Sequence, residues 1–261
     1  MLQINNLWKV IIMAKRIIFA ILLIVSNLSL AVEIPKDFLY KDNLIDPNCI
    51  LEIYSNRFAN LKECSLHLDK KITEYFLKDD LIGYEYINKN NNSPGMLSYK
   101  YMGKLKDAHV IHAFMIGVSI SRLDYIKYLK IENNNLKLIK SGPSGDRSFG
   151  GISDARLENN SIIYDLSITA KLFITNFAKG QEDNIKLDNL SDCAVCYFGK
   201  IHHVNDKIEY ITLSDVISYK DNSIQKCFNE MHSEFIKKQH LKLSKKEANI
   251  FAENFISKCL Q

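Results

Sequence analysis

Three pairs of short, strand-like segments separated by asparagine-rich turns constrain the fold more than any other feature of the sequence. The pairs are 123–131 with 136–140 across Asn133-Asn134-Asn135, 152–157 with 162–168 across Asn159-Asn160, and 194–204 with 207–213 across Asn205-Asp206. Asparagine tolerates the left-handed backbone conformations that tight hairpin turns require. Hairpins at this short spacing predict an antiparallel sheet and not the alternating strand–helix order of a parallel one.

Two further strands and one helix are predicted around these hairpins. Apolar and polar residues alternate over 97–105, which is typical of a strand with one face in water. Residues 109–118 are almost all apolar and predict a central strand buried on both faces. A helix over 169–179 interrupts the sheet, and we expect it to end at Gly180.

The segment 46–77 predicts helix. Asp46 is a favourable N-cap, and Pro47 lies at the first helical position, where its missing N–H would be unpaired in any case. Apolar residues then recur at steps of three to seven: Ile50, Tyr54, Phe58, Leu61, Leu68, Ile72 and Phe76. The pattern does not decide between one long helix and two.

The C-terminal part predicts a helical hairpin of residues 224–239 and 245–260, each with an apolar stripe. Ser244 and Glu247 have the S-x-x-E spacing of a capping box, so a second helix should begin between them. The predicted fold is therefore α+β, with an antiparallel β-sheet flanked by N-terminal helices and this disulfide-bearing hairpin.

The N-terminus has the order of charged, apolar and small residues that is typical of a secretory signal peptide. Lys15 and Arg16 precede the apolar run 17–25, and Ser29-Leu30-Ala31 follows. A membrane anchor, the alternative, needs about 20 apolar residues, and this run is far shorter. We expect a signal peptide at 1–31, with Met13 as the true start. Residues 32–261 would then be one periplasmic or secreted domain with no membrane span.

The basic excess of the chain comes mostly from that segment. Residues 1–31 hold three of the 34 basic residues and none of the 30 acidic ones, which leaves 31 against 30 and a formal charge of +1. A nearly neutral domain gives no reason to expect nucleic acid as a partner.

All six cysteines follow residue 31, and an even number in an exported chain predicts disulfides. Cys227 and Cys259 should lie level on facing sides of the helical hairpin, which makes them the first expected pair. Cys193 with Cys196 is the second. Cys49 and Cys64 come last, because in one straight helix they would stand about 22 Å apart and can pair only if that helix breaks.

The Cys193-Ala-Val-Cys196 sequence also allows a zinc site with a nearby histidine, or a redox pair. Neighbouring residues on a strand point to opposite faces, so at most one of His202 and His203 could join such a site. A redox pair should lie between a strand and a helix, and here a strand follows. We therefore favour a structural disulfide, and expect no metal and no cofactor.

A glycine-rich segment, 141–154, is the strongest candidate for a functional region. Four of the ten glycines fall between Gly142 and Gly151, which predicts a surface loop with at least one glycine at positive φ. Backbone N–H groups in such a loop can bind anions, and Arg147 would add a positive fork for a carboxylate or phosphate. The candidate binding residues are Asp146, Arg147 and Ser148. Alternatively, the segment is only a long connection. It matches neither a phosphate-binding P-loop nor a nucleophile elbow.

The sequence leaves two functions open. The first is a non-enzymatic domain that binds an unknown ligand or protein partner. The alternative is a secreted hydrolase with its site at 141–154 and His112 as general base, although a hydrogen-bonded core histidine is the simpler interpretation of His112. His109 and His112 lie an odd number of positions apart, so they should face opposite sides of their strand.

Overall fold

Two antiparallel sheets form the frame of the structure, where the sequence predicts one. The computed structural model describes residues 34–41, 43–56, 58–64, 72–78, 80–87, 94–117, 122–146, 151–180, 185–192, 197–214, 222–238 and 241–260. The strands in these ranges are β1 (Phe58–Asn60), β2 (Ile72–Lys78), β3 (Leu81–Ile87), β4 (Pro94–Leu105), β5 (Ala108–Ile116), β6 (Arg122–Glu132), β7 (Asn135–Asp146), β8 (Ile152–Glu158), β9 (Ser161–Thr169), β10 (Tyr197–Val204), β11 (Lys207–Leu213) and β12 (Lys242–Leu243). One sheet has seven strands in the order β1-β7-β6-β5-β4-β3-β2, and the other has five in the order β12-β11-β10-β9-β8.

Helices pack on this frame, and the class is α+β as predicted. They are α1 (Pro47–Asn56), α2 (Leu61–Cys64), α3 (Ala170–Phe177), α4 (Ser223–Lys238) and α5 (Lys245–Cys259), with 3₁₀ turns at Lys36–Phe38 and Ile185–Asn189. Residues Ile34–Gln261 cluster as one compact unit.

The three predicted hairpins are confirmed as β6–β7, β8–β9 and β10–β11. Both central residues of each turn have positive φ: 51° and 61° at Asn133–Asn134, 49° and 59° at Asn159–Asn160, and 51° and 63° at Asn205–Asp206. This is the backbone twist that lets a two-residue turn follow the twist of its strands. Asparagine and aspartate at these positions therefore set the register at the turn end of each of the three hairpins.

The helical prediction for 46–77 is correct at its start and wrong at its end. Helix α1 begins at Pro47, and Asp46 Oδ1 accepts a hydrogen bond from the N–H of Asn48 at 2.7 Å. The chain then leaves the helix, because β1 adds to the edge of β7. Beyond Cys64, residues 72–78 are strand β2 and not helix, because they pair along their whole length with β3.

The glycine-rich segment is not the continuous loop that the sequence predicts, and its residues 147–150 lie outside the described residues. Strand β7 continues to Asp146 and β8 starts at Ile152, so the first half of 141–154 and its last residues are strand. Gly142 does not have a positive φ; instead, a Cβ there would lie 3.1 Å from the carbonyl oxygen of Ile126. This glycine serves close strand packing and not a turn.

Each face of the seven-stranded sheet covers a different core. Helix α1 and the 3₁₀ turn Lys36–Phe38 cover one face, where the buried residues include Phe38, Ile50, Tyr99, Ile111 and Leu129. Strands β8 and β9 cover part of the other face, with Met102, Val110, Ile126, Ile162 and Tyr164. The helices α3, α4 and α5 cover the five-stranded sheet, with Phe173, Phe198, Phe228, Phe251 and Phe255 at their centre.

The C-terminal helical hairpin and its capping box are present as predicted. Ser244 accepts a hydrogen bond from the N–H of Glu247, and the Glu247 carboxylate accepts one from the N–H of Ser244. Cys227 and Cys259 lie at disulfide distance, with Cα atoms 6.0 Å apart. Cys49 and Cys64 also lie at disulfide distance, with Cα atoms 5.6 Å apart, because the helix breaks between them. Cys193 and Cys196 lie outside the described residues.

Candidate functional site

Both described ends of the glycine-rich segment lie at one cleft between the two sheets. Gly145, near the end of β7, pairs with Asp124 on β6, and Gly151 directly precedes β8. Asp124 and Gly151 both line the cleft. Asp146 ends β7 opposite Leu123, but its side chain is not described, and Arg147 and Ser148 lie outside the described residues. Their predicted roles in binding therefore stay predictions.

The cleft has a volume of about 480 Å³, within the range of roughly 300 to 1,000 Å³ that small-molecule sites occupy. One wall comes from the end of β5 and the start of β6, and the other from the start of β8, the end of β9 and the start of β10. The lining residues are Ile116, Arg122, Asp124, Gly151, Ile152, Ser153, Ser167 and Tyr197.

A fixed arginine is the main charged group in this cleft. Arg122 and Asp124 are two residues apart on β6, so their side chains lie on the same face of the sheet. The Arg122 Nε donates to Asp124 Oδ1 at 2.8 Å, and the guanidinium lies over the Phe114 ring at 4.5 Å. The side chain of Asp124 is 1 % exposed and that of Arg122 is 44 % exposed. The buried carboxylate and the ring thus hold a guanidinium that reaches solvent.

His112 lies behind this pair, on the adjacent strand β5. Its side chain is 5 % exposed, and its Nε2 is 3.5 Å from Asp124 Oδ1, longer than a normal hydrogen bond. Burial lowers the pKa of His112, against the opposing effect of Asp124, so the imidazole is neutral at pH 7. His112 Nε2 and Asp124 Oδ2 are buried without a hydrogen-bond partner among the described residues. His112 does not itself line the cleft.

His109 faces the opposite side of β5, as its spacing from His112 predicts. It packs against the Phe38 ring, and its Nδ1 lies 3.2 Å from the hydroxyl of Tyr101. Its Nε2 lies 3.8 Å from the carboxylate of Asp37. These contacts hold the 3₁₀ turn Lys36–Phe38 on the sheet, which is a structural role.

A second polar cluster lies on the outer face of the five-stranded sheet. His202 Nδ1 is 2.7 Å from Asp165 Oδ1, and its ring stacks on Tyr210 at 4.4 Å. His203 is on the other face and stacks on Tyr164, which agrees with the prediction that the two histidines diverge. In the part of the chain that the structure describes, no three His, Cys, Asp or Glu side chains converge on a possible metal site.

Sequence reasoning did not single out Arg122 or Asp124. The signal that was available is the Arg-x-Asp spacing at the start of an otherwise strand-like segment, which places two opposite charges on one face. The sequence did not show that a second sheet covers this face, and burial is what distinguishes Asp124 from an ordinary surface carboxylate.

Comparison with known proteins adds no further constraint. No protein-family model, curated protein or solved structure matches the chain. In the described residues, no helix combines the length and apolar character needed to cross a membrane.

Proposed function

We propose that the chain is an exported, non-enzymatic domain that binds a small ligand in the cleft between its two sheets. The observation that carries this proposal is the Arg122–Asp124 pair: a buried carboxylate orients a guanidinium that reaches into the cleft. Holding a polar group in its binding orientation before the ligand arrives reduces the entropy lost on binding. An ion pair on the surface, without such burial, would contribute little free energy.

Export is the second part of the proposal. Its support is the signal-like N-terminus together with two cysteine pairs at disulfide distance, Cys49 with Cys64 and Cys227 with Cys259. Disulfides persist in oxidising compartments and are rare in the cytosol. A periplasmic or secreted location is therefore the one that fits both features.

A secreted hydrolase with its site at 141–154 is the second candidate, because a neutral histidine lies beside a carboxylate just behind the cleft. Binding without catalysis is favoured over it for one reason. The Nε2 of His112 has no hydroxyl or thiol partner among the described residues, whereas a nucleophile must lie within hydrogen-bond reach of its base. A hydrolase would need His112 or the ligand to move.

A fragment screen with a cleft-blocking variant tests the proposal. Ser153 lines the cleft, and we expect Ser153→Trp to fill part of it. Ser161 on the same sheet is the matched control, since it is also half-buried but lies outside the cleft. The Ser153 hydroxyl accepts a hydrogen bond from the side chain of Lys200, and the Ser161 hydroxyl accepts one from the side chain of Asn205.

Ligand-observed NMR on the full chain should find fragments that bind the unmodified protein and Ser161→Trp but not Ser153→Trp. Fragments that bind all three proteins equally, or none at millimolar concentration, would argue against a ligand site in this cleft. If an ester fragment is turned over by the unmodified protein and not by Ser153→Trp, the hydrolase is the correct alternative.

A further inference from the structure

We propose that the ligand of this cleft is a monocarboxylate with an apolar body. This inference rests on the proposed binding function and names the chemistry of the ligand. It follows from three properties of the described residues: the free edge of the Arg122 guanidinium, the charge balance around it, and the apolar side chains that face it.

The geometry of Arg122 suits a carboxylate. A guanidinium has a planar fork of five N–H donors that matches the two oxygens of a carboxylate. Asp124 occupies only the Nε, and no described residue accepts a hydrogen bond from the terminal nitrogens. The guanidinium carbon lies 4.5 Å from the centroid of the Phe114 ring, so the group has a second contact besides Asp124. One edge of the fork is thus used internally, and the other edge can bind a ligand.

The charge balance disfavours a ligand with more than one negative charge. Asp124 already places one carboxylate against Arg122. Lys200, which donates to Ser153 Oγ, lies 3.7 Å from the carboxylate of Asp154. A phosphate dianion would need more uncompensated cations than the described lining offers. Ser153 and Ser167 also line the cleft, and neither residue carries a charge.

The remainder of the cleft favours an apolar body. Ile116 lies directly across from Arg122 on the neighbouring strand, and Ile152 and Tyr197 come from the other sheet. Ile116 and Tyr197 are half-buried, so they leave apolar surface that a ligand can cover. A ligand with its carboxylate on Arg122 can therefore extend along these side chains and remove them from water.

The inference can be tested on the full chain with a homologous series of straight-chain carboxylates. The series runs from butanoate to decanoate, each kept below its micelle-forming concentration. Titration calorimetry should show affinity rising by up to about fourfold per added methylene, until the chain outgrows the cleft. The alkanols of equal length should bind at least tenfold more weakly, because they lack the charge. Alkyl phosphates should bind no more tightly than the carboxylates.

The Arg122→Met variant tests whether the carboxylate binds at Arg122, and Arg156→Met is its matched control. Arg156 also donates through Nε to the carboxylate two residues further on, Glu158, at 3.2 Å, but it does not line the cleft. Arg122→Met should abolish the preference for carboxylates over alkanols, and Arg156→Met should leave it unchanged. If Arg122→Met does not fold, the comparison of carboxylates with alkanols on the unmodified protein decides alone.

Each outcome supports or overturns the inference. Equal affinity for carboxylates and alkanols, or tighter binding of alkyl phosphates, overturns it. If the fragment screen finds ligands that Ser153→Trp blocks, but the carboxylates neither bind nor displace them, the ligand class is wrong and the binding function stands. If no fragment and no carboxylate binds in the cleft, both proposals fail.

Discussion

A lysine inside the molecule is the most unusual single residue outside the cleft. Lys127 on β6 is 1 % exposed, and its Nζ donates to the carbonyl oxygens of Ile50 and Leu51 in α1 at 2.7 and 2.9 Å. Burial lowers the pKa of Lys127 to about 8, since the charged form loses its hydration. The ammonium group thus links α1 to the seven-stranded sheet, but burying its charge reduces the stability of the folded chain.

The cost of the buried Lys127 charge should appear as a pH dependence of stability. Between pH 8 and about 10.4 an unfolded chain keeps this proton and the folded chain loses it, so the free energy of unfolding should rise with pH in that window. The expected rise is at most about 3 kcal/mol. Urea unfolding of the unmodified chain and of Lys127→Met, compared at pH 7.5 to 10, should show a difference that changes with pH.

Lys130→Met is the control for this measurement. Lys130 lies on the same strand but pairs with Glu132 and Asp107 near the surface, and those carboxylates raise its pKa. It should therefore stay protonated in both folded and unfolded chains up to pH 10, and its variant should differ from the unmodified protein by a constant amount. A constant difference for Lys127→Met as well would mean that its ammonium is not buried.

The sequence does not distinguish buried from exposed charges on these strands. Asp124 and Lys127 are three residues apart on one strand, so alternation correctly puts them on opposite faces. Nothing local indicates that β8 and β9 cover one face and α1 the other, because both contacts join residues far apart in the chain. This is why Asp124 was not predicted, while the turn residues, which depend on local backbone geometry, were.

At the scale of the elements, the helical hairpin could be predicted because its geometry is local. The capping box fixes where α5 begins, the rise per residue then fixes the level of Cys259, and Cys227 faces it across the pair. The segment 72–78 could not be predicted in the same way. Ile72 and Phe76 are four apart and suit a helix, but pairing with β3 overrides that preference.

The hairpin makes a definite prediction for the cysteines. Non-reducing peptide mapping should link Cys227 to Cys259, and Cys227→Ala with Cys259→Ala should lower the free energy of unfolding by up to about 3 to 4 kcal/mol, since the closed loop spans 32 residues. Ser244→Ala, which weakens the cap but not the crosslink, should cost only about 1 kcal/mol. Linkage of Cys227 to any other cysteine would contradict the packing of α4 against α5.

The candidate site exists because the two sheets share part of a core. Val110 and Ile126 from one sheet pack with Ile162 and Tyr164 from the other, and the cleft is lined by residues of both sheets, including Arg122. The hairpin turns determine each sheet separately, but no turn determines how one sheet meets the other. Sequence patterns therefore predicted strands β4 to β11 and the glycine-rich segment as a candidate, and not the cleft beside it.

Export also concerns the whole chain, and its processing can be tested directly. Cleavage after Ala31 would leave Val32 as the first residue and remove Trp8, the only tryptophan, so the exported protein should show tyrosine emission alone. Expression in a bacterial host, followed by mass spectrometry of the periplasmic or secreted fraction, should find this mature mass. Leu22→Arg, which interrupts the apolar run 17–25, should leave the full-length chain inside the cell, because a charge there is costly to insert into a membrane. An exported protein that still begins at Met1 or Met13 would show that the segment is not a cleaved signal.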